Sequence, residues 1–247
     1  MKVEVKHHEH WARVELVSSE EGGDFLNPST IVSLRSTLVT LAANPSVRCL
    51  LLRAGDCLGA QIDQIAVAER EALKHHAASF CALLQELHDL RPPVLFWATG
   101  RTLGGAVALA AACDFVLCGE KARFNLPEAG LGLAPILIQP WVTRRIGPAR
   151  FRSWALSGLE MDAEAACLTG LADGLFAGPG FPSAYARLLR SSPAALDAIK
   201  QMSRLQVDCD PVERFIEFVS DPQVREDLGV IAAGGSVVWR RKAQKVS

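Results

Sequence analysis

Between Pro93 and Cys118 the chain reads PVLFWATGRTLGGAVALAAACDFVLC, an apolar run, a glycine-rich turn and a stretch built almost wholly of small residues. Few folds accept that order. Val94 to Ala98 is too short and too continuously apolar for anything but a buried strand, and Ala106 to Ala112 reads as a helix whose small side chains allow close packing. Gly100, Gly104 and Gly105 let the backbone bend sharply and approach a ligand closely. The start of the following helix adds unpaired N–H groups and the positive end of its dipole. Such a place stabilises negative charge. A turn that merely lets an Ala-rich helix pack tightly would read the same way. The chain has no G-x-x-x-x-G-K-[ST] and no G-x-G-x-x-G followed by an acidic residue, so a nucleotide-binding oxidoreductase would rest on the glycine turn alone.

Around this string, strands and helices alternate. Lys2 to Lys6 and Trp11 to Val17 alternate polar and apolar residues, which predicts an antiparallel pair joined by a polar turn carrying His7, His8 and His10. No carboxylate or Cys lies near those histidines at ligand spacing, so the turn is read as a solvated hairpin tip and no metal site is expected. Asn27-Pro28 supplies a helix cap and a first-turn proline. Ile31, Leu34, Leu38 and Leu41 then recur at helical spacing until Asn44-Pro45. Val47 to Arg53 predicts a buried strand, Ala54 to Ile62 a loop, and about Gln64 to Leu90 one long helix ended by Pro92-Pro93. After the glycine turn, Asp114 to Cys118 and Ala122 to Leu126 predict two more strands, and beyond Pro127 the pattern is helical almost to the end. Strand and helix alternation followed by helices alone predicts a layered α/β core, residues 1–175, with a helical C-terminal region, 176–247, in one structural unit.

Composition narrows the class of protein. The chain is 49% hydrophobic and 21% charged with a net charge of −1, so nothing in its bulk charge asks for nucleic acid or a membrane surface. Its longest apolar stretches fall well short of the roughly 20 residues needed to cross a bilayer. The N-terminus is not patterned as a signal peptide. Seven scattered cysteines without a C-x-x-C pair fit neither a disulfide framework nor a zinc site, and a reducing cytoplasm is the expected location.

Four segments, taken in order, carry a resemblance. The turn Thr99 to Ala106 and the helix closing at Cys113-Asp114 resemble the Asn-Gly-x-x-x-Gly-Gly-Gly turn and Ala-x-Asp ending of the crotonase (enoyl-CoA hydratase/isomerase) family. Gly119 to Glu128 looks like that family's strand and Pro-Glu segment. Arg144-Arg145-Ile146-Gly147 and the run Ala163 to Asp173 resemble its later helix landmarks, so the likeness covers about residues 10 to 240. It implies an α/β fold with a crotonase-like ββα spiral core, and a hydro-lyase in which two backbone N–H groups hold a thioester oxygen.

Carried over residue by residue, the resemblance assigns one donor to Gly105 beside Gly104. The other falls on Ala60 after Gly59, with a shifted register at Ile62 and Asp63 as the alternative. Of the two glutamates that normally move protons in the hydratases, one matches Glu128 and the other falls on Ala108. Cys57, beside the first loop, is read as packing. The spacing of Pro127 to Pro135, Pro140, Arg144 to Gly147, Phe218 to Pro222 and Gly235 to Trp239 is closest to the polyketide β-branching dehydratases, which act on 3-hydroxy-3-methylglutaryl on an acyl carrier protein. That subgroup does not depend on a glutamate at the Ala108 position. Lys74, His75 and His76 fall on the helix that flanks the acyl pocket in this fold, where one could pair with a distal substrate carboxylate. No cofactor is implied beyond the CoA or phosphopantetheine carrying the substrate. Partners would be acyl-CoA or an acyl carrier protein, with assembly as a homotrimer or hexamer whose C-terminal helices pack near a neighbour's site. An isomerase moving a 3-enoyl double bond to the 2-position, and a non-catalytic partner of a carrier protein, remain open.

Overall fold

Charged residues alternating with valine make Lys2–His7 (β1) a half-exposed strand, and it pairs antiparallel with Trp11–Val17 (β2) as the alternation predicts. The turn between them leaves His7, His8 and His10 exposed, and His8 stacks on Trp11 at 3.8 Å between ring centroids. The computed structural model describes residues 1–18, 24–59, 62–178, 180–203 and 211–235.

From β2 onward the chain repeats one unit, a strand in a large sheet, a short strand in a small sheet, then a helix. The first turn adds Asp24–Phe25 (β3) and Pro28–Ala43 (α1), where the Asn27 side chain accepts from the Thr30 N–H at 2.9 Å. The second is Cys49–Ala54 (β4), Cys57–Leu58 (β5), Ile62–Val67 (α2) and Arg70–Asp89 (α3). The third is Val94–Ala98 (β6), Arg101–Leu103 (β7) and Gly105–Ala112 (α4). The fourth is Phe115–Cys118 (β8), Arg123–Asn125 (β9), a 3-10 turn at Glu128–Leu131, and Gln139–Ser157 (α5), which is kinked at Gly147. Met161–Asp162 (β10), Ala163–Thr169 (α6) and Gly174–Leu175 (β11) close the two sheets. Their orders are β1-β2-β4-β6-β8-β11 and β10-β9-β7-β5-β3. This is the ββα spiral that the resemblance implied.

Both faces of the large sheet are covered, which explains why β4 and β6 read as unbroken apolar runs. Alternate residues point to opposite sides. Leu50, Leu52 and Phe96 face α1 and α3, while Cys49, Leu51, Leu95 and Trp97 face a layer that includes Phe176, Tyr185 and Leu188. Each fully buried leucine of this kind contributes roughly 1.5–3 kcal/mol. Several motif residues turn out to serve the sheet. Asp114 Oδ2 accepts from the Val94 N–H and from Lys200 Nζ, both at 2.8 Å, and Asp173 Oδ2 accepts from the Val116 N–H at 2.6 Å. Arg145 donates to the Cys113 and Asp114 carbonyls at 2.9 and 3.1 Å and pairs with Asp173 at 3.0 Å, tying the end of α4 to the start of β8's neighbour β11.

The structure departs from the sequence pattern in five places. The helix expected over 64–90 is two, because Glu69 takes an extended conformation (φ −68°, ψ 152°) between α2 and α3. The loop at Ala54 to Ile62 contains β5, and the glycine turn contains β7. Downstream of Pro127 the chain is not helical throughout, since β10 and β11 add edge strands. The strand expected at Val47 starts two residues later.

The C-terminal helices are Pro193–Ser203 (α7), Pro211–Ser220 (α8) and Pro222–Ala232 (α9). α8 and α9 pack on α3 and α2 of their own chain through Ile65, Leu73, Ile216, Val219 and Leu228. Both helices thus pack against helices of their own chain. Arg225 donates to the Ala66 and Ala68 carbonyls at 3.2 and 2.8 Å, so α9 holds the break between α2 and α3.

Candidate active site

The C-terminal ends of β5 and β7 meet the start of α4 so closely that only glycine fits. A Cβ on Gly59 would lie 2.7 Å from the Gly105 nitrogen. Gly104 has φ +53° and ψ −120°, a region that residues with a Cβ avoid. Its N–H donates to the Asn125 carbonyl at 2.9 Å, pinning the turn to β9. Gly105 is the first residue of α4, and its N–H finds no acceptor among the described residues. It is one of the unpaired donors that every helix start leaves.

Glu128 sits on the next loop, at the first position of the 3-10 turn that Gly132 ends with φ +77°. The Leu133 N–H closes the loop on the Glu128 carbonyl at 2.9 Å. Its side chain lies against Gly104, where a Cβ would come within 2.6 Å of Oε1. The residue is 9% exposed and Oε2 is buried without a hydrogen-bond partner. Burial among apolar groups disfavours the charged form and pushes the carboxyl pKa up to about 7, although a hydrogen bond with its own backbone opposes the rise. A carboxyl group with that pKa accepts and returns protons near neutral pH.

Gly59, Gly104, Gly105 and Glu128 open onto one cavity of about 220 Å³. Its walls come from α3 (Leu73, Phe80), from the loop over residues 131–138 and from Phe215 of α8. Among the described lining residues the only polar side chains are Glu128 and His76. Lys74 and His75, two and one residues before it on α3, are exposed and do not line the cavity, because they project from another face of the helix. Ala108 is fully buried in α4. Cys57 is buried in β5 and outside the lining, and Asp63 is exposed at the start of α2. Ala60 lies outside the described residues, so of the two expected donors the structure describes Gly105.

Sequence reasoning found the glycines and Glu128, but not the apolar wall at 131–138 or Phe215. Phe215 stands about 90 residues beyond Glu128 and no local pattern links them. Among the described residues, no group of three or more His, Cys, Asp or Glu is placed to hold a metal ion, and no helix is long and apolar enough to cross a membrane.

Residues 23–223 match the family model described as Enoyl-CoA hydratase/isomerase. The chain is 27% identical over 203 residues to a carnitinyl-CoA dehydratase of Proteus mirabilis strain HI4320, a match covering 77% of this chain and 76% of that protein. A carnitinyl-CoA dehydratase of Citrobacter koseri is 27% identical over 221 residues, covering 85% and 83%. Among solved structures, an enoyl-CoA hydratase from Mycobacterium avium is similar with a TM-score of 0.81 at 23% identity, over 96% of this chain and 98% of that one. One from Bacillus halodurans reaches a TM-score of 0.83 at 15% identity, over 92% and 98%. These two likenesses concern the fold.

Proposed function

The chain belongs to the enoyl-CoA hydratase/isomerase family, and we propose that within it this protein removes water from a 3-hydroxyacyl thioester, with Glu128 as its one proton-transfer carboxylate. The observation that carries this reading is a buried carboxyl group with an unpartnered oxygen, facing the same apolar cavity as an unpaired helix-start N–H. The Gly105 N–H receives the thioester oxygen, and Ala60 is assigned as the second donor. Fixed donors aimed at a developing oxyanion stabilise it without having to reorganise. Glu128 takes the α-proton and the enolate forms. As its electrons make the C2–C3 double bond, the C3–O bond breaks, and the departing oxygen takes the proton back from Glu128. Water leaves and the carboxylate is regenerated.

Ala108 bears no second acid, so the same carboxyl must serve both steps. That fits a syn elimination and also fits a 3-enoyl to 2-enoyl isomerase, in which one base carries a proton between two carbons. Support for dehydration comes from the relatives named carnitinyl-CoA dehydratase. Those names also support CoA as the handle, with carrier-bound phosphopantetheine as the alternative suggested by the spacing of Pro127 to Pro135 and Arg144 to Gly147. The described cavity lining has no Lys or Arg to meet the distal carboxylate of a 3-hydroxy-3-methylglutaryl group, so an uncharged acyl chain suits it better.

Mass spectrometry after incubation with 3-hydroxybutyryl-CoA, 3-hydroxy-3-methylglutaryl-CoA and their carrier-bound forms tests the proposal. Loss of water is expected, slowed about 10²- to 10⁴-fold by Glu128→Gln. A Glu128→Gln variant with full activity overturns the base assignment, and double-bond migration without water loss selects the isomerase.

A further inference from the structure

Two residues of the cavity lining, Glu128 and His76, each carry a buried polar atom without a hydrogen-bond partner, Oε2 and Nδ1, and the reaction drawn above uses only the first residue. Leaving a buried polar atom unpaired destabilises a fold unless something binds it. On α3, Leu73, His76 and Phe80 follow one another by three and four residues, and all three line the cavity. They therefore share one helix face. Phe80 lies close to Gly105, with its Cζ 3.3 Å from where a Cβ on that glycine would be, so this face of α3 reaches the start of α4.

Burial, and then the neighbouring His75, lower the His76 pKa from the usual histidine value. A ring held neutral offers one N–H and one lone pair but no charge. That makes it a poor counter-ion for a substrate carboxylate and a good partner for a hydroxyl, which can donate to a ring lone pair or accept from a ring N–H. We infer that His76 Nδ1 hydrogen-bonds the 3-hydroxyl group of the substrate and selects 3-hydroxyacyl thioesters over chains lacking that group. The inference rests on the dehydratase reading. His76 gains or loses no proton in the cycle. It holds the oxygen whose bond to C3 breaks, while Glu128 carries the proton from C2 to that oxygen. Apart from Glu128, which moves the proton, His76 is the only described lining side chain able to hydrogen-bond that hydroxyl.

Two rates on each protein test this, water loss from 3-hydroxybutyryl-CoA and deuterium uptake at C2 of butyryl-CoA in D2O. The second substrate has no 3-hydroxyl. His76→Leu is expected to lower the ratio of dehydration to exchange roughly 10- to 100-fold, the range for one lost hydrogen bond left unreplaced. His76→Asn, which keeps an amide near the Nδ1 position, is expected to restore most of that ratio. An unaltered ratio in His76→Leu overturns the inference while leaving the base assignment standing. A ratio no better in a folded His76→Asn than in His76→Leu also overturns it, because a packing role and not the polar atom would then explain the loss. Absence of both reactions in the parent protein overturns the dehydratase reading and this inference with it.

Discussion

Gly104 and Glu128 act as one feature, since the carboxyl oxygen occupies the space a side chain at 104 would need. Gly104→Ala combines that collision with a φ of +53°, so a loss of about 1–3 kcal/mol is expected from the backbone alone. Displacement of Glu128 should also slow dehydration more than the lost stability explains, which melting curves and rates at one temperature would show. Gly59 offers a cleaner dissection. An alanine there would press on the Gly105 nitrogen at 2.7 Å and leave Glu128 in place. Gly59 has no positive φ, but the collision is with backbone that must shift, so Gly59→Ala should cost stability and, in the protein that still folds, lower C2 exchange by about 10²-fold through loss of one oxyanion donor. An exchange rate within twofold of the parent would mean that the Gly105 N–H is not where the thioester oxygen rests. The pH dependence follows from the same residue. A base with a pKa near 7 is protonated in acid, so the rate should climb as pH rises and level off above about 7. The rising limb should vanish in whatever residual activity Glu128→Gln retains.

Elements differ in how far the sequence reveals them. Long elements with their own period, such as α1 with Ile31, Leu34, Leu38 and Leu41, or β6 with five buried residues, are legible because each is specified by residues close in sequence. Strands β5, β7, β10 and β11 have two or three residues each, and their pairing is supplied by partners far along the chain. No local pattern contains that information. The glycine turn was legible for the same reason as α1, since positive φ and close backbone approach demand a particular residue type. His76 stands four residues before Phe80, so helical spacing sets it apart from Lys74 and His75, but that this face opens on a cavity depends on residues 131–138 and Phe215, far along the chain. The break between α2 and α3 is held from outside by Arg225 of α9 and by the Arg70 to Glu213 pair at 2.8 Å. Arg225→Ala should therefore loosen α8 and α9, raise KM through Phe215 and expose the 66–69 segment to proteolysis, with kcat changed less than KM. Equal falls in kcat and kcat/KM, with unchanged proteolysis, would show that the helices do not hold the cavity closed.

Across the whole molecule, the proton that catalysis needs and the proton that folding prefers are opposed. Glu128 has a folded-state pKa of about 7 against an ordinary value of 4.5, so between those values the folded chain binds more protons than the unfolded one. Stability then falls as pH rises through this window and stays at the lower level above it. The gap corresponds to about 3 kcal/mol when fully expressed. Histidines work the other way. His88, lowered to about 4 chiefly by burial, and His76, also lowered, stay neutral in the folded chain while the unfolded chain takes up protons below about 6.5. Their contribution is present above that pH and is lost as the solution becomes more acidic. Buried Cys113 and Cys118, pushed up to about 12, add a loss only in the alkaline range. These opposing terms flatten the parent's stability between pH 5 and 7 and would hide the glutamate in any single melting curve. A difference measurement isolates it. Glu128→Gln removes the ionisation and leaves the histidines and cysteines alone, so its gain in Tm over the parent should be small at pH 5 and about 6–12 °C at pH 8. The same gain at both values would mean that Glu128 is charged without penalty in the folded state, and a carboxylate that comfortable has no reason to titrate where the rate does.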